Sequence, residues 1–282
     1  MLITQTKASK FKWWVIDNFL VLPIKILIEN LYNPIKVRIL QSITSNGKLD
    51  FIEKEIIIEV KTVSQLSRLK SCKKEPSTIK WLLRDIRQDD VFFDIGANIG
   101  AYSLVAAMAT KDDFTVYSFE PSPETFASLC KNVLMNKLGG KIYPLQMALG
   151  LNTEISNFFL SSKMSGAAEH ALGAPIDMFG NRFEPVDIQT VVSFSMDEVI
   201  KLFKMKSPTH IKIDVDGFEL NVLQGATSVL SSTKLRHILV EVHEDSKECL
   251  SILQFLKLHS FNFVRKGYVT TKGFANYEFE RS

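Results

Sequence analysis

The sequence predicts an α/β protein: a doubly wound, mostly parallel, seven-stranded Rossmann-like sheet with a helical N-terminal extension. Three observations predict it. From residue 89 onward, short apolar runs alternate with segments of helical periodicity, strand then helix. This alternation calls for a parallel sheet covered on both faces. A flexible acidic turn, "DIGANIG" (94–100), joins the first of these strands to an apolar helix. In open α/β sheets such turns at the carboxyl ends of strands hold ligands.

The N-terminal stretch "FKWWVIDNFLVLPIKILIENL" (11–31) is strongly apolar but carries Lys12, Asp17, Lys25 and Glu29. No uncharged run reaches the length of a membrane span, and the pattern is not that of a signal peptide. It reads as helices packing on the main domain or on a partner, or as an interfacial membrane anchor. Trp13, Trp14 and the flanking lysines suit a headgroup boundary. Residues 1–80 hold 14 Lys/Arg against 7 Asp/Glu, a balance of +7, while the whole chain of 282 residues is only +3. The remainder is therefore −4, and nothing in the main body suggests a nucleic-acid partner. Hydrophobic residues make up 46% of the chain, enough for a sizeable core. Cys72, Cys130 and Cys249 are scattered and form no metal-binding spacing, as in a reducing, cytoplasmic protein.

Residues 1–48 are accordingly the extension, and 49–88 a strand and helix segment preceding the main domain at 89–282. "LDFIEKEIIIEVKT" (49–62) has a β-branched run suited to a strand or hairpin. "EPSTIKWLLRDI" (75–86) opens a helix at Pro76. Strands are expected at 91–95, 114–119, 141–146, 209–214, 236–243, 261–265 and 274–280, with helices at 99–110, 123–136, 217–231 and 246–258. Residues 150–196 break the rhythm. Two strand-like pieces, "EISNFFLS" and "DIQTVVSF", flank an irregular stretch, a natural substrate loop.

The glycine turn selects the ligand. A dinucleotide fingerprint starting at Gly96 would need glycine at positions held by Asn98 and Ala101. What stands there is D-x-G-x-N-x-G: Asp94, Gly96, Asn98, Gly100. Asp94 would repel a diphosphate but not a cationic or zwitterionic ligand. Glu120 ends the next apolar strand, where a carboxylate can accept from both hydroxyls of a ribose. A ribose without a diphosphate fits S-adenosyl-L-methionine.

These motifs, "EPST" (75–78), "FDIGANIGAYSL" (93–104), "FEPSPETF" (119–126), "SFSMDEVI" (193–200) and "HIKIDVDGFELNVLQGA" (210–226), resemble the FkbM-like family of class I S-adenosylmethionine-dependent methyltransferases. The resemblance spans roughly residues 75–280. It departs at Asp216, where family members commonly carry glutamate. It implies methyl transfer to a hydroxyl of a sugar, glycan, glycolipid or related metabolite. It also implies cofactor contacts at Glu75, Asp94, Gly96, Asn98, Gly100, Glu120 and Ala148, and substrate contacts at Ser165, Gly166, Asp216 and Glu219. Asp214, at the end of "HIKID", is expected beside the transferred methyl. The acceptor's proton then falls to His170, in the insertion, or to His243, at the end of "RHILVEVH". His210 and His237 begin strands, at the far end from the pocket, and read as structural. Mg²⁺ is compatible with the carboxylates, but no dedicated cage is legible, so no metal ligand is assigned. The alternatives are a nicotinamide-dependent oxidoreductase, which the failed glycine fingerprint opposes, and a cofactor-binding scaffold without catalysis.

Overall fold

The computed structural model describes residues 21–24, 35, 45–110, 113–167, 170–177 and 181–282. The expected N-terminal anchor at 11–31 lies almost wholly outside them. Residues Asn46–Ser282 form one compact unit.

It opens with a small two-stranded sheet, β1 (Ser45–Lys48) and β2 (Ile57–Val60). Three helices follow: α1 (Val63–Arg68), α2 (Ser71–Lys74) and α3 (Pro76–Asp85). α1 starts in a capping box: the Thr62 hydroxyl accepts from Gln65 N, and the Gln65 side chain accepts from Thr62 N. Pro76 takes the first turn of α3, where its missing N–H costs nothing.

Alternation then produces β3 (Val91–Ile95), α4 (Ala101–Ala109), β4 (Thr115–Phe119), α5 (Pro123–Met135) and β5 (Ile142–Leu145). After the insertion come β10 (His210–Ile213), α7 (Glu219–Gln224), α8 (Thr227–Ser231), β11 (His237–His243), α9 (Lys247–Leu258), β12 (Phe261–Lys266) and β13 (Phe274–Arg281). The sheet order is β12-β13-β11-β10-β3-β4-β5. Five central and flanking strands run parallel, and β13 pairs antiparallel with both β11 and β12. Chain order reverses between β3 and β10, which are neighbours, so the carboxyl ends of these two strands define the switch point at which such sheets bind ligands.

The two faces of this sheet differ. On one, Phe93, Ile95, Phe119, Ile211, Ile213, Ile238, Val240 and Phe279 pack with α7, α8 and α9 residues into an apolar core. The other meets α3 and α4 through Phe92, Val116, Leu239 and Trp81. It also carries Asp94, Ser118, His210 and Lys212, all buried. Period-two alternation in "HIKI" sorts them: Ile211 and Ile213 to one side, His210 and Lys212 to the other.

Two features differ from expectation. The helix expected over 217–231 is two helices. A Cβ at Gly225 would lie 2.0 Å from the Gly150 carbonyl oxygen, so the chain passes against a neighbouring backbone there. Asp197 then caps the restart by accepting from Ser228 N and Val229 N. The insertion is more ordered than a loop: β6 (Ala148–Gly150), β7 (Glu154–Leu160), β8 (Ala171–Leu172) and β9 (Asp187–Ser195) form a separate four-stranded sheet. Its chain continues directly into α6 (Met196–Phe203), capped by Ser195.

Candidate active site

The glycine turn leaves β3 with three residues in the left-handed region: Gly96 (φ 77°), Asn98 (φ 52°) and Gly100 (φ 88°). Asparagine is among the few side chains that tolerate this. Gly96 is required twice over. Besides its positive φ, a Cβ there would lie 1.8 Å from the Asp214 carbonyl oxygen. The ends of β3 and β10 are thus held backbone against backbone. The amides of Gly96 and Ala97 both donate to the Phe119 carbonyl, 3.0 Å each, tying the turn to β4.

Glu120 follows Phe119. Its carboxylate accepts from Asn98 N (3.0 Å) and Ser122 N (2.9 Å). Burial, only partly offset by these two amides, pushes its pKa up to about 7. Asn98 completes the turn by donating from Nδ2 to the Ala167 carbonyl, 2.8 Å.

Asp94 stands behind the turn rather than open beside it. It is fully buried, accepts from Ser103 Oγ at 2.5 Å, and its Oδ1 has no hydrogen-bond partner. Burial raises its pKa, with Lys212 acting in the opposite direction. Lys212 is the in-register partner of Asp94 on β10. Its ammonium donates to Asp214 Oδ2 at 2.7 Å and lies 4.9 Å over the Tyr102 ring. Burial opposes its charge, but Asp214, Asp94 and Glu75 prevail, and its pKa rises above the ordinary lysine value. Asp214 accordingly stays low despite its burial. Glu75 accepts from Thr78 Oγ1 (3.2 Å) and from Asn276 Nδ2 (3.1 Å).

The turn after β10, residues 214–218, separates two clefts. The first, about 370 Å³, is mainly apolar and is lined by Gly96, Pro121, Ala148, His170, Val215 and Phe218, among others. The second, about 320 Å³, is acidic and is lined by Asp216, Glu219, Glu241, His243, Glu248 and Phe274, among others. The two candidate histidines therefore belong to different clefts. His170 Nδ1 lies 3.2 Å from Ser161 N, with its ring edge-on to Phe158. His243 stands edge-on to Phe274, ring centroids 4.9 Å apart.

Other sequence candidates have structural duties. Glu219 is buried and accepts from Val215 N and Gly217 N, holding the 214–218 turn closed. Burial, then Glu248, pushes its pKa up to about 8. Asp216 (φ 57°) and Gly217 (φ 101°) form the left-handed corner of that turn. Ser165 and Gly166 are bound down on α1 and α5: Ser165 Oγ is 2.9 Å from Ser128 Oγ, and Gly166 O accepts from Arg68 Nε at 3.3 Å. His210 is wholly buried at the amino end of its strand and stacks on His237 at 4.7 Å.

Sequence reasoning passed over Lys212, Tyr102 and Glu241. Lys212 had a signal: it is a lysine inside an apolar strand, two residues before Asp214 and on the same face. Glu241 had the same one in "ILVEVH". For Lys212 the partner Asp214 is local, whereas Asp94 and the neighbours of Glu241 emerge only once strand register is known.

The methyltransferase FkbM domain family matches this chain over residues 94–265. A hexuronic acid methyltransferase, AglP, of Haloferax volcanii is 30% identical over 202 residues, covering 71% of this chain and 76% of that protein. A 31-O-demethyl-FK506 methyltransferase, FkbM, of Streptomyces tacrolimicus is 28% identical over 199 residues, covering 64% and 75%. Among solved structures, a methyltransferase FkbM from Methylobacillus flagellatus shares the fold with a TM-score of 0.50 at 15% identity. That alignment covers 77% of this chain and about half, 52%, of the other. The matched region runs from Asp94 through the glycine turn, Glu120 and the Lys212–Asp214 pair into β12, and on that ground the chain belongs to the FkbM family of class I S-adenosylmethionine-dependent methyltransferases.

Proposed function

We propose that this methyltransferase acts on a hydroxyl group of a sugar, glycan or related metabolite, with S-adenosylmethionine bound across the glycine turn. The observation that carries the cofactor reading is Glu120. Its buried carboxylate takes one amide hydrogen bond on each oxygen and keeps lone pairs for a ribose diol. The adenine would occupy the apolar cleft between Pro121, Ala148 and Phe218. The sulfonium and ammonium groups would lie toward Asp214 and Glu75, where carboxylates outnumber the one buried lysine. A cationic cofactor matches this excess, and a nicotinamide diphosphate does not.

Held by the glycine turn and Glu120, S-adenosylmethionine would supply an activated methyl group on a sulfonium, ready for in-line transfer to the acceptor oxygen. The protein aligns the two, a contribution worth roughly 7–11 kcal/mol when geometry is good. The Haloferax relative, a hexuronic acid methyltransferase, supports a sugar acceptor. Calorimetry tests the cofactor assignment. The native chain should bind S-adenosylmethionine, and Glu120→Ala should weaken binding by about 1.5–3 kcal/mol, the usual worth of hydrogen bonds to a charged group. Binding of NADH with no S-adenosylmethionine signal would refute it.

Residues 1–48 are proposed to attach the enzyme to a membrane surface or a partner, on the strength of their basic, tryptophan-bearing sequence. Vesicles containing anionic lipid should float with the full chain and not with a chain starting at Asn46. Equal flotation of both would remove the membrane reading.

A further inference from the structure

The acidic cleft beyond the 214–218 turn contains a carboxyl group that the cofactor reading leaves without a task. Glu241 lies near the carboxyl end of β11, beside β10. The last register pair of the two strands is Ile213–Val240, so Glu241 follows next to Asp214 and shares its face of the sheet. Its side chain is half-buried on the wall of the cleft. We propose, resting on the S-adenosylmethionine reading above, that Glu241 is the catalytic base that takes the acceptor's proton, and that arrival of the cationic cofactor turns it into the carboxylate.

The surroundings support both halves. Lys212 and Asp214 face Glu241 from β10, Asp216 from the turn, and Glu75 from the start of α3. Asn276 is its register partner on β13. His243, Glu219 and Glu248 line the remaining walls of the cleft. Lys212, the buried cation of this group, is already bonded to Asp214 at 2.7 Å. Glu241 therefore carries the repulsion of Asp214, Glu75 and Asp216 on top of the cost of burial, and its pKa stands well above the usual glutamate value. Burial and the three neighbouring carboxylates all favour its protonated form. The cofactor brings a sulfonium and an ammonium into this crowd of carboxylates, and each positive charge favours release of that proton.

Asp214 is a poorer base, because its ion pair with Lys212 stabilises the carboxylate. A base of raised pKa is better matched to work near neutrality. In the step itself, a lone pair of the acceptor oxygen forms the new O–C bond. The C–S bond breaks with its electron pair passing to sulfur, which becomes a neutral thioether. The hydroxyl proton moves to the Glu241 carboxylate and leaves to solvent through the mouth of the cleft.

Two measurements test this on the full chain. In the first, S-adenosylmethionine is titrated by calorimetry at pH 7 in two buffers of different ionisation enthalpy. Native protein should release close to one proton on binding, and less with the uncharged thioether S-adenosylhomocysteine. Glu241→Gln should bind within about threefold of native and release close to one proton fewer, leaving only the fraction that Glu120 sheds. Equal proton release from the variant would overturn the proposal, whereas no binding to the native chain would count against the cofactor reading instead. The second is single-turnover transfer of labelled methyl to p-nitrophenyl glucoside and p-nitrophenyl glucuronide across pH. Glu241→Gln should lose about 10²–10⁴-fold in rate together with the rise toward neutral pH, and Glu241→Asp should keep that rise at a lower rate. Native rates in Glu241→Gln would overturn the proposal, and the proton count decides if neither glycoside is methylated.

Discussion

The two faces of the central sheet are made by the same strands and the same alternation, yet they are stabilised differently. One face is a continuous apolar layer from Phe119 to Phe279, and it depends on close packing alone. The other places Asp94, Lys212, His210 and Ser118 in full burial. Each of these depends on a specific neighbour: Asp94 and Ser118 on Ser103, Lys212 on Asp214, His210 on Thr209. An apolar layer fails gradually when a side chain is trimmed. A buried charge network fails abruptly when one partner is removed, because the other is left uncompensated. The proposed site draws on the second kind of face, at the carboxyl ends of β3 and β10, and the first holds the fold.

This comparison can be broken. Lys212→Met is the largest expected change. It leaves Asp214 and Asp94 without their cation and should destabilise the chain by about 3–5 kcal/mol at neutral pH. The cost should shrink as the pH falls into the carboxylate range, because protonated partners need no cation. Ile213→Ala, the adjacent residue facing the other way, should cost about 2–5 kcal/mol with no such dependence on pH. Urea unfolding at pH 4.5 and 7.5 reads both. If the two costs move together with pH, the faces are not physically distinct. Ile211→Val comes next, at about 0.5–1.5 kcal/mol, and should leave methyl transfer unchanged.

A further test sharpens the comparison on the titratable side. Glu120 and Glu219 have folded pKa values pushed up to about 7 and about 8 by burial, against an unfolded value of about 4.3. The folded chain therefore binds these protons more tightly than the unfolded chain. Stability attributable to them is complete below about pH 4 and is lost as the pH rises through 7 and 8. Glu219→Gln keeps an acceptor for the Val215 and Gly217 amides and should flatten the upper part of that decline. An unchanged slope of stability between pH 6 and 8 would show that Glu219 ionises without cost.

The strands and helices from residue 89 onward were legible because period-two and period-3.6 patterns are local. The glycine turn was legible because Gly96, Asn98 and Gly100 are dictated by backbone conformation. The break at Gly225 was not, since it arises from the approach of Gly150, 75 residues away in sequence. The antiparallel pairing of β7 with β9 was hidden for the same reason: each piece reads as a strand, but nothing local says that Ile155 meets Val192. Lys212 and Glu241 were obscured differently. Strand ends drew attention because ligands gather there, whereas a single charge inside an apolar run becomes meaningful only when register supplies its neighbours across the sheet. Ser165 and Gly166 show the converse. Their family setting marked them for substrate, and the structure gives them hydrogen bonds to α1 and α5.

The inserted segment departs from β6 at Gly150 and ends on β9 at Ser195, and these two residues are register partners at the end of the β6–β9 pairing. Its two ends are thus neighbours, and everything between them can be exchanged without stretching the polypeptide on either side. In evolutionary terms the segment is a cassette. A lineage can trade it for a longer or differently shaped one, while the strand ends that carry Asp94, Glu120, Lys212 and Glu241 stay in place. The same geometry offers the protein engineer a defined pair of splice points for exchanging this segment between members of the family.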